Sequence, residues 1–144
     1  MKITKRFSWV MGHRLTTHEG GCYNPHGHNY EAKVSIEGPV DSQGMVMDFG
    51  DLGKICKQIF DVELDHAFMV WDKDRFKDSL KSWTGEHPRP FKIVEVPFET
   101  TAENMAIWLF DRINAEVKAI THGMCKVNRV KVYETPKNEA AHYG

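Results

Sequence analysis

The densest group of reactive side chains is the segment Cys22-Tyr23-Asn24-Pro25-His26-Gly27-His28-Asn29-Tyr30. His26 and His28 stand two positions apart at the entry to an alternating segment, and such positions share one face of an extended strand. Two imidazoles on one face suit Zn²⁺ or a similar cation, and a third would leave one coordination position open for water or substrate. His13, just past an earlier alternating segment, is the natural third ligand. The pattern indicates a three-histidine metal site, and the alternative is an exposed polar His-x-His pair.

Cys22 differs from the other two cysteines because it lies in a loop rich in Gly, Asn and Pro, four residues before His26. A metal or a histidinium lowers the pKa of a nearby thiol, which then acts as a nucleophile or a base. The alternative is an unreactive loop thiol. Cys56 falls on the apolar face of a predicted helix and is expected in the core. The odd number of cysteines and the lack of a Cys-x-x-Cys pair disfavour a disulfide framework and a cysteine zinc knuckle.

Two further positions carry carboxylates that need a partner. Asp65 directly precedes His66, and an aspartate beside a histidine orients the imidazole or shares a proton relay with a thiol, the alternative being a polar helix terminus. Glu134 has the same parity as Val130 and Val132 in the last predicted strand. A carboxylate on a core-facing position is expected in a buried salt bridge or against paired N–H groups of a ligand.

The elements that position these side chains follow from hydrophobic periodicity. Strands gather at both ends of the chain with helices between them, which favours an α+β fold with an antiparallel sheet covered on one face by helices. A capping box from Thr100 to Glu103 is expected to begin the longest helix. The periodicities predict strands over 3–9, 30–37, 91–96 and 125–134, helices over 51–60, 76–83 and from 101 to near Gly123, and a hairpin that turns at 41–44 and returns over 45–47.

Length and charge limit the number of domains and the kinds of partner expected for the chain. A sequence of 144 residues fits one domain, here 1–144, with an elaboration at about 71–98 that contains the helix-breaking run 85–90. The 19 basic and 20 acidic residues nearly cancel, so no global field favours nucleic acid or an anionic membrane. No apolar run approaches the length of a spanning helix, and the amino terminus lacks the apolar core of a leader. A cytosolic location is expected.

Six motifs together resemble one family over nearly the whole chain. They are Phe7-Ser8 with His13-Arg14-Leu15, Cys22-x-x-x-His26-Gly27-His28-Asn29-Tyr30, Met47-Asp48-Phe49, Leu64-Asp65-His66, Thr101-Ala102-Glu103-Asn104 and Val132-Tyr133-Glu134-Thr135. In order and spacing the chain is similar to the 6-pyruvoyl- and 6-carboxy-tetrahydropterin synthases. The resemblance implies the tunnelling fold, with a four-stranded antiparallel sheet and two helices on one face. It also implies trimers that pair into a hexamer, with active sites between subunits.

The resemblance also implies roles for individual residues. By that similarity His13, His26 and His28 bind Zn²⁺, and Cys22 is the base, with Asp65 and His66 forming its relay. Glu134 anchors the amino-pyrimidine edge of a pterin through two hydrogen bonds, with help from the backbone around Thr101, Ala102 and Glu103. The implied substrate is 7,8-dihydroneopterin triphosphate.

The family has two branches, and the sequence carries features of both. Three residues between Cys22 and His26 resemble the branch that forms 6-carboxy-tetrahydropterin, acetaldehyde and triphosphate in queuosine (7-deazaguanine) biosynthesis, which is the favoured function. Asn24-Pro25 and Lys131-Val132-Tyr133-Glu134-Thr135 resemble the branch that forms 6-pyruvoyl-tetrahydropterin.

Three readings from other classes compete with these. A non-catalytic zinc-containing module that binds a pterin or purine would not need Cys22, and a structural zinc would require a fourth protein ligand. A cupin-like oxygenase is disfavoured because Glu31 has the wrong parity relative to His28 and amphipathic helices do not suit an all-β barrel.

Overall fold

One six-stranded sheet, packed against helices, organises the chain in a computed structural model that describes residues 1–86 and 89–144. The strands are β1 (Lys2–His13), β2 (His26–Glu37), β3 (Ala67–Trp71), β4 (Ile93–Val96), β5 (Lys126–Thr135) and β6 (Asn138–Tyr143), in the order β4-β3-β1-β2-β5-β6. The helices are α1 (Phe49–Lys57), α2 (Phe76–Glu86) and α3 (Ala102–Ile120). A π-helical segment (Gln58–Leu64) continues α1, and a 3₁₀ turn (Gly21–Tyr23) precedes β2.

The predicted α+β class is confirmed, but the prediction of four strands was wrong. Strands β1, β2, β5 and β6 form the expected antiparallel sheet, and β3 and β4 extend it in parallel beside β1. The run that forms β3 is almost continuously apolar, so it has no period-2 signal to mark it as a strand. The short strand β6 is mostly exposed and follows Pro136, beyond the last predicted strand at 125–134.

The predicted hairpin over 41–47 is also wrong. The turn is present, since Asp41 accepts the backbone N–H of Gly44 and donates its own to the carbonyl of Met45. The residues after it form no strand. Val46 and Met47 instead enter the core directly, and Asp48 then caps α1 by accepting the N–H of Gly50.

The longest helix begins one residue later than predicted. Thr101, rather than Thr100, is the N-cap, and its hydroxyl accepts the N–H of Asn104. The Thr100 hydroxyl is engaged elsewhere, because it donates to the carbonyl of Arg14. The helix ends at Ile120, close to the predicted Gly123, whose φ of +79° suits glycine after a helix.

The core lies between the helices and one face of the sheet. Along β2 every second residue from Tyr30 to Ile36 is buried, and the apolar faces of α1, the π-helical segment and α3 cover them. An aromatic stack anchors the centre: Phe60 lies 5.0 Å from Phe7 and 4.9 Å from Trp9 between ring centroids, and Trp9 stacks on Tyr30 at 5.2 Å. Cys56 is buried as expected.

The segment 71–98 contributes both α2 and β4. The predicted helix and strand are therefore present, although the helix runs through Gly85 to Glu86 where a break was expected. Residues 87 and 88 of the predicted breaker run lie outside the described residues. Across the described residues, no helix is both long and apolar enough to cross a membrane.

Replacing Phe60 with alanine is expected to lower the free energy of unfolding by about 3–5 kcal/mol, because its ring is fully buried between two aromatic neighbours. Urea denaturation followed by circular dichroism measures the change. Phe49→Ala is the matched control: its side chain is 51% exposed at the start of α1, so a change within about 0.5 kcal/mol is expected. Equal losses in the two variants would contradict this view of the core.

Candidate active site

Three histidines converge where β1 ends and β2 begins. The antiparallel register pairs His13 with His26 and Met11 with His28, so the three imidazoles point to the same face of the sheet. One ligand atom from each histidine lies within 4.8 Å of the other two. The structure thus brings together the predicted ligand set. His13 differs from the prediction in one respect, since it is the last residue of β1 rather than a residue of the following loop.

Hydrogen bonds to the backbone fix how two of these rings are presented. His13 Nδ1 lies 2.7 Å from the carbonyl oxygen of Thr100, and His26 Nδ1 lies 2.7 Å from that of Asn24. A carbonyl only accepts, so each Nδ1 carries the proton and each Nε2 keeps a free lone pair. Both Nε2 atoms are buried and have no hydrogen-bond partner among the described residues. A buried acceptor without a donor is what a cation would satisfy, so this donor set fits a metal ion.

Burial keeps His13 and His28 neutral. It lowers the pKa of His13 to about 4, overcoming the opposing hydrogen bond to Thr100, and the neighbouring His26 and His28 lower it further. The pKa of His28 is also lowered, by burial and then by His26. Neutral imidazole is the form that binds metal ions, so these two histidines can ligate one at neutral pH without losing protons.

Glu134 points toward the same cluster from β5. One of its carboxylate oxygens lies 3.7 Å from His13 Nε2, and its side chain is 25% exposed. Burial raises the pKa of this carboxyl, Glu103 raises it further, and His26 acts in the opposite direction. The parity argument from Val130 and Val132 thus correctly placed Glu134 on the inner face. A carboxylate partly withdrawn from water without a close cation can accept paired N–H groups from a ligand.

The start of α3 closes another side of the cluster. Thr100 is fully buried and supplies the carbonyl that orients His13, while Thr101 caps the helix. Ala102 and Glu103 form the first turn, where backbone N–H groups have no acceptor within the helix. The electrostatic influence of Glu103 on Glu134 shows that this turn lies near the inner carboxylate.

Cys22 lies in the 3₁₀ turn that leads into β2. Its carbonyl accepts the N–H of Leu15 at 2.8 Å, which ties the turn to the end of β1, and its thiol is partly exposed. Cys56 and Cys125 are buried, and burial raises the pKa of Cys56 to about 12. The structure therefore separates one accessible cysteine from two core cysteines, as the sequence predicted for Cys22 and Cys56.

Tyr30 is a site residue that the sequence analysis did not single out. Its hydroxyl is buried without a hydrogen-bond partner among the described residues, and its ring packs edge-on against His13 and His28. Burial raises the pKa of the phenol, with smaller contributions from Glu134 and Cys22. The signal was available, because Tyr30 shares the parity of the two β2 histidines.

Asp65 and His66 do not meet Cys22 within one chain. His66 Nδ1 lies 2.7 Å from one oxygen of the Asp65 carboxylate, and the other oxygen accepts the N–H of Val10. The described residues contain no hydrogen bond from either side chain to Cys22. His66 is 78% exposed beside a pocket of about 420 Å³, whose lining includes Gly27, Asn29 and His28. Gly27 and Asn29 alternate with the inward-facing histidines, so this pocket opens mainly on the face of the sheet opposite the helices.

Fold and site together define a class: a mainly antiparallel sheet with helices on one face, carrying a three-histidine cluster fit for a metal, an inner glutamate and an accessible cysteine. The sequence model of the family described as 6-pyruvoyl tetrahydropterin synthase matches residues 2–144. The chain therefore belongs to the 6-pyruvoyl tetrahydropterin synthase family, a family of lyases. The predicted family and enzyme class are confirmed.

Individual relatives represent both branches of the family. The chain is 35% identical over 139 residues to 6-carboxy-5,6,7,8-tetrahydropterin synthase from Haemophilus influenzae, with 94% of this chain and 93% of the relative covered. The structure of Caenorhabditis elegans 6-pyruvoyl tetrahydropterin synthase superposes with a TM-score of 0.71 at 27% identity, covering 100% of this chain and 95% of that one. An uncharacterized protein from Wolinella succinogenes superposes with a TM-score of 0.86 at 26% identity, covering 100% and 98%.

Glu134→Gln is expected to raise the Tm of the ligand-free protein at neutral pH by a few degrees. The folded state holds the Glu134 proton more tightly than the unfolded chain does, so stability falls as the pH rises from the ordinary value of 4.5 through the raised pKa. The gain from the variant should therefore be present above the raised pKa and vanish below about pH 4.5. Thermal unfolding from pH 4 to 8 measures it.

Glu139→Gln is the control for this prediction. The hydrogen bond from Lys131 lowers the pKa of Glu139, so its replacement should not stabilise the protein at neutral pH. A Tm gain of the same size in both glutamine variants would contradict the role assigned to burial at Glu134.

Proposed function

We propose that the chain is a zinc-dependent lyase that converts 7,8-dihydroneopterin triphosphate to 6-carboxy-5,6,7,8-tetrahydropterin, acetaldehyde and triphosphate, as in queuosine biosynthesis. The observation that carries the proposal is the meeting of three histidines, two with buried Nε2 atoms that have no partner among the described residues, beside the half-buried Glu134. The similarity to a relative named for the 6-carboxy product supports this branch.

The metal would be held by His13, His26 and His28. Three imidazoles suit Zn²⁺ and leave a position open for a substrate, and the ion would supply Lewis acidity that makes a neighbouring C–H more acidic. The carbonyls of Thr100 and Asn24 hold two of the rings with Nε2 inward. The protein thereby presents the ligands before any ion arrives, which favours affinity and a defined orientation.

The pterin ring would lie between Glu134 and the start of α3. An ionised carboxylate accepts two parallel N–H bonds from an amino-pyrimidine edge, a charge-assisted pair that fixes the orientation of the ring. The N–H groups of Ala102 and Glu103 can donate to the ring carbonyl, while Thr101 fixes the first turn of the helix. These contacts place the side chain of the substrate toward the three histidines.

Cys22 would act as the base. As a thiolate it would take a proton from a carbon of the substrate side chain, and the resulting thiol would return a proton later in the reaction. His66 would exchange protons with Cys22, and the carboxylate of Asp65 holds the imidazole through Nδ1, leaving Nε2 for the transfer.

We propose that a second subunit completes this relay. In one chain the Asp65–His66 pair forms no hydrogen bond with Cys22 and borders a pocket mainly on the other face of the sheet. We therefore propose that residues 1–144 form one tunnelling-fold domain and that these domains assemble as a hexamer of two trimers. In this assembly His66 would serve the site of a neighbouring subunit. The proposed location of the hexamer is the cytoplasm. The exposure of His66, 78% in the single chain, supports this arrangement.

The second candidate is a 6-pyruvoyl-tetrahydropterin synthase. It shares the cluster, Cys22 and Glu134, and the run from Lys131 to Thr135 favours it. The similarity to the Caenorhabditis elegans structure supports it as well. The two candidates differ in whether the side-chain carbon–carbon bond is cleaved.

Incubation of the zinc-loaded protein with 7,8-dihydroneopterin triphosphate is expected to give 6-carboxy-tetrahydropterin and acetaldehyde, identified by mass spectrometry. Cys22→Ala should lower the rate by a factor of about 10²–10⁴, the usual contribution of a general base, while pterin binding is retained. Cys125→Ala, which alters a buried cysteine, is the control. A 6-pyruvoyl product would assign the second candidate, and unchanged substrate with the parent protein would support a non-catalytic pterin-binding module.

Zinc content is expected to depend on each of the three histidines. His26→Ala and His28→Ala should lower the metal-to-protein ratio from about one to near zero after dialysis, since two imidazoles hold zinc weakly. Inductively coupled plasma mass spectrometry measures the ratio. His142→Ala, on β6, should keep its zinc, and equal zinc content in all four proteins would refute the assignment of the ligands.

A further inference from the structure

We propose that Arg14 and Asp74 are positioning residues, and that the segment 71–98 holds the Cys22 turn in place through this ion pair. The inference rests on the proposed function of Cys22 as the base. The placement of the Cys22 thiol can be measured without measuring turnover.

The ion pair has the geometry of a fixed contact. Arg14 Nε lies 2.7 Å from one carboxylate oxygen of Asp74, and a terminal guanidinium nitrogen lies 2.9 Å from the other. Two parallel N–H bonds define the orientation of both planar groups, which a single contact does not. Asp74 is only 4% exposed and also accepts the N–H of Phe76 at the start of α2. The carboxylate is therefore held at a defined place by its own segment.

Arg14 connects the fixed Asp74 carboxylate to the turn that contains Cys22. Its guanidinium lies 4.7 Å from the ring centroid of Tyr23 and donates a third, longer hydrogen bond of 3.4 Å to the Tyr23 carbonyl. Tyr23 is the residue after Cys22 and ends the 3₁₀ turn. In the same turn, the carbonyl of Cys22 accepts the N–H of Leu15. The two consecutive carbonyls of Cys22 and Tyr23 are thus bound to the short run that begins at Arg14.

The same residue connects the turn to the rest of the site. Arg14 follows His13, the buried histidine of the cluster, and its carbonyl accepts the hydroxyl of Thr100. Thr100 in turn supplies the carbonyl that orients His13. The backbone run from His13 to Leu15 therefore connects the Cys22 turn to the buried histidine, and the Arg14 side chain at its centre is held by Asp74. An arginine serves this purpose better than a lysine, because it provides a planar fork and stacks on an aromatic ring at the same time.

Asp74→Asn tests the proposal because it removes the charge and half of the fork while keeping the size of the side chain. The rate of Cys22 alkylation by iodoacetamide at fixed pH, followed by peptide mass spectrometry, is expected to rise about threefold to tenfold as the turn loosens. In the product assay kcat should fall about 10- to 100-fold, the effect of displacing a reacting group by about 1 Å, with KM changed much less. Zinc content should remain unchanged.

Arg14→Lys is the second variant, and it decides the matter if Asp74→Asn does not fold. It keeps a positive charge beside Asp74 but loses the fork and the stacking on Tyr23, so Cys22 alkylation should again be faster. Arg112→Lys is the matched control, because Arg112 forms a similar two-point pair with Glu63, at 2.7 and 3.0 Å, between α3 and the π-helical segment. It should leave both the alkylation rate and kcat within twofold of the parent.

Unchanged Cys22 alkylation and kcat in folded Asp74→Asn or Arg14→Lys would overturn the positioning role, even if Tm falls. A parent protein that does not turn over the substrate would instead refute the proposed function, and the alkylation rates would still decide whether the ion pair positions the turn.

Discussion

The antiparallel register of β1 and β2 is the constraint on which the rest of the site depends. It sets His13 opposite His26 and places His28 two residues further along the same face. A shift of the register by one residue would turn the β2 histidines to the other face of the sheet. It would also turn Tyr30, Ala32 and the core residues that follow them away from the helices. The burial of that whole row therefore fixes the position of the candidate metal ligands. The core and the candidate metal site are consequences of one pairing, and any change that weakens it should disturb both.

Parity along strands explains what the sequence could predict, because period 2 is a local property. It placed His26, His28 and Glu134 on the inner face, and the helical stripes placed α1 and α3 nearly correctly. The sequence could not predict contacts set by distant segments. The one-residue shift of the helix cap from Thr100 to Thr101 follows from a hydrogen bond to Arg14, 86 positions away. The strand β3 has no alternation because it is buried in the interior of a parallel extension. The separation of His66 from Cys22 depends on tertiary geometry alone.

The connection between α1 and β3 contains a π-helical segment that helps to place the His66 side chain. The π-helical segment keeps Phe60 and Leu64 in the core, and at its end Asp65 donates its N–H to the carbonyl of Phe60. His66 then adopts a positive φ of 58°, an unfavourable conformation for a residue with a side chain. Its N–H donates to Val10 and the Asp65 carboxylate accepts from Val10, so β1 holds both residues. Such strain persists only where the surroundings fix it, and here it directs an imidazole away from its own core.

The inner site concentrates polar groups that the fold does not satisfy. The Nε2 atoms of His13 and His26 and the Tyr30 hydroxyl are buried without partners among the described residues, and Glu134 is partly withdrawn from water. Each such group lowers the stability of the ligand-free protein. Trp9 stacks on Tyr30 and packs against Phe60, so the aromatic core directly adjoins these polar atoms. A cation and a pterin would satisfy these groups together, so ligand binding and folding stability should be coupled at this site.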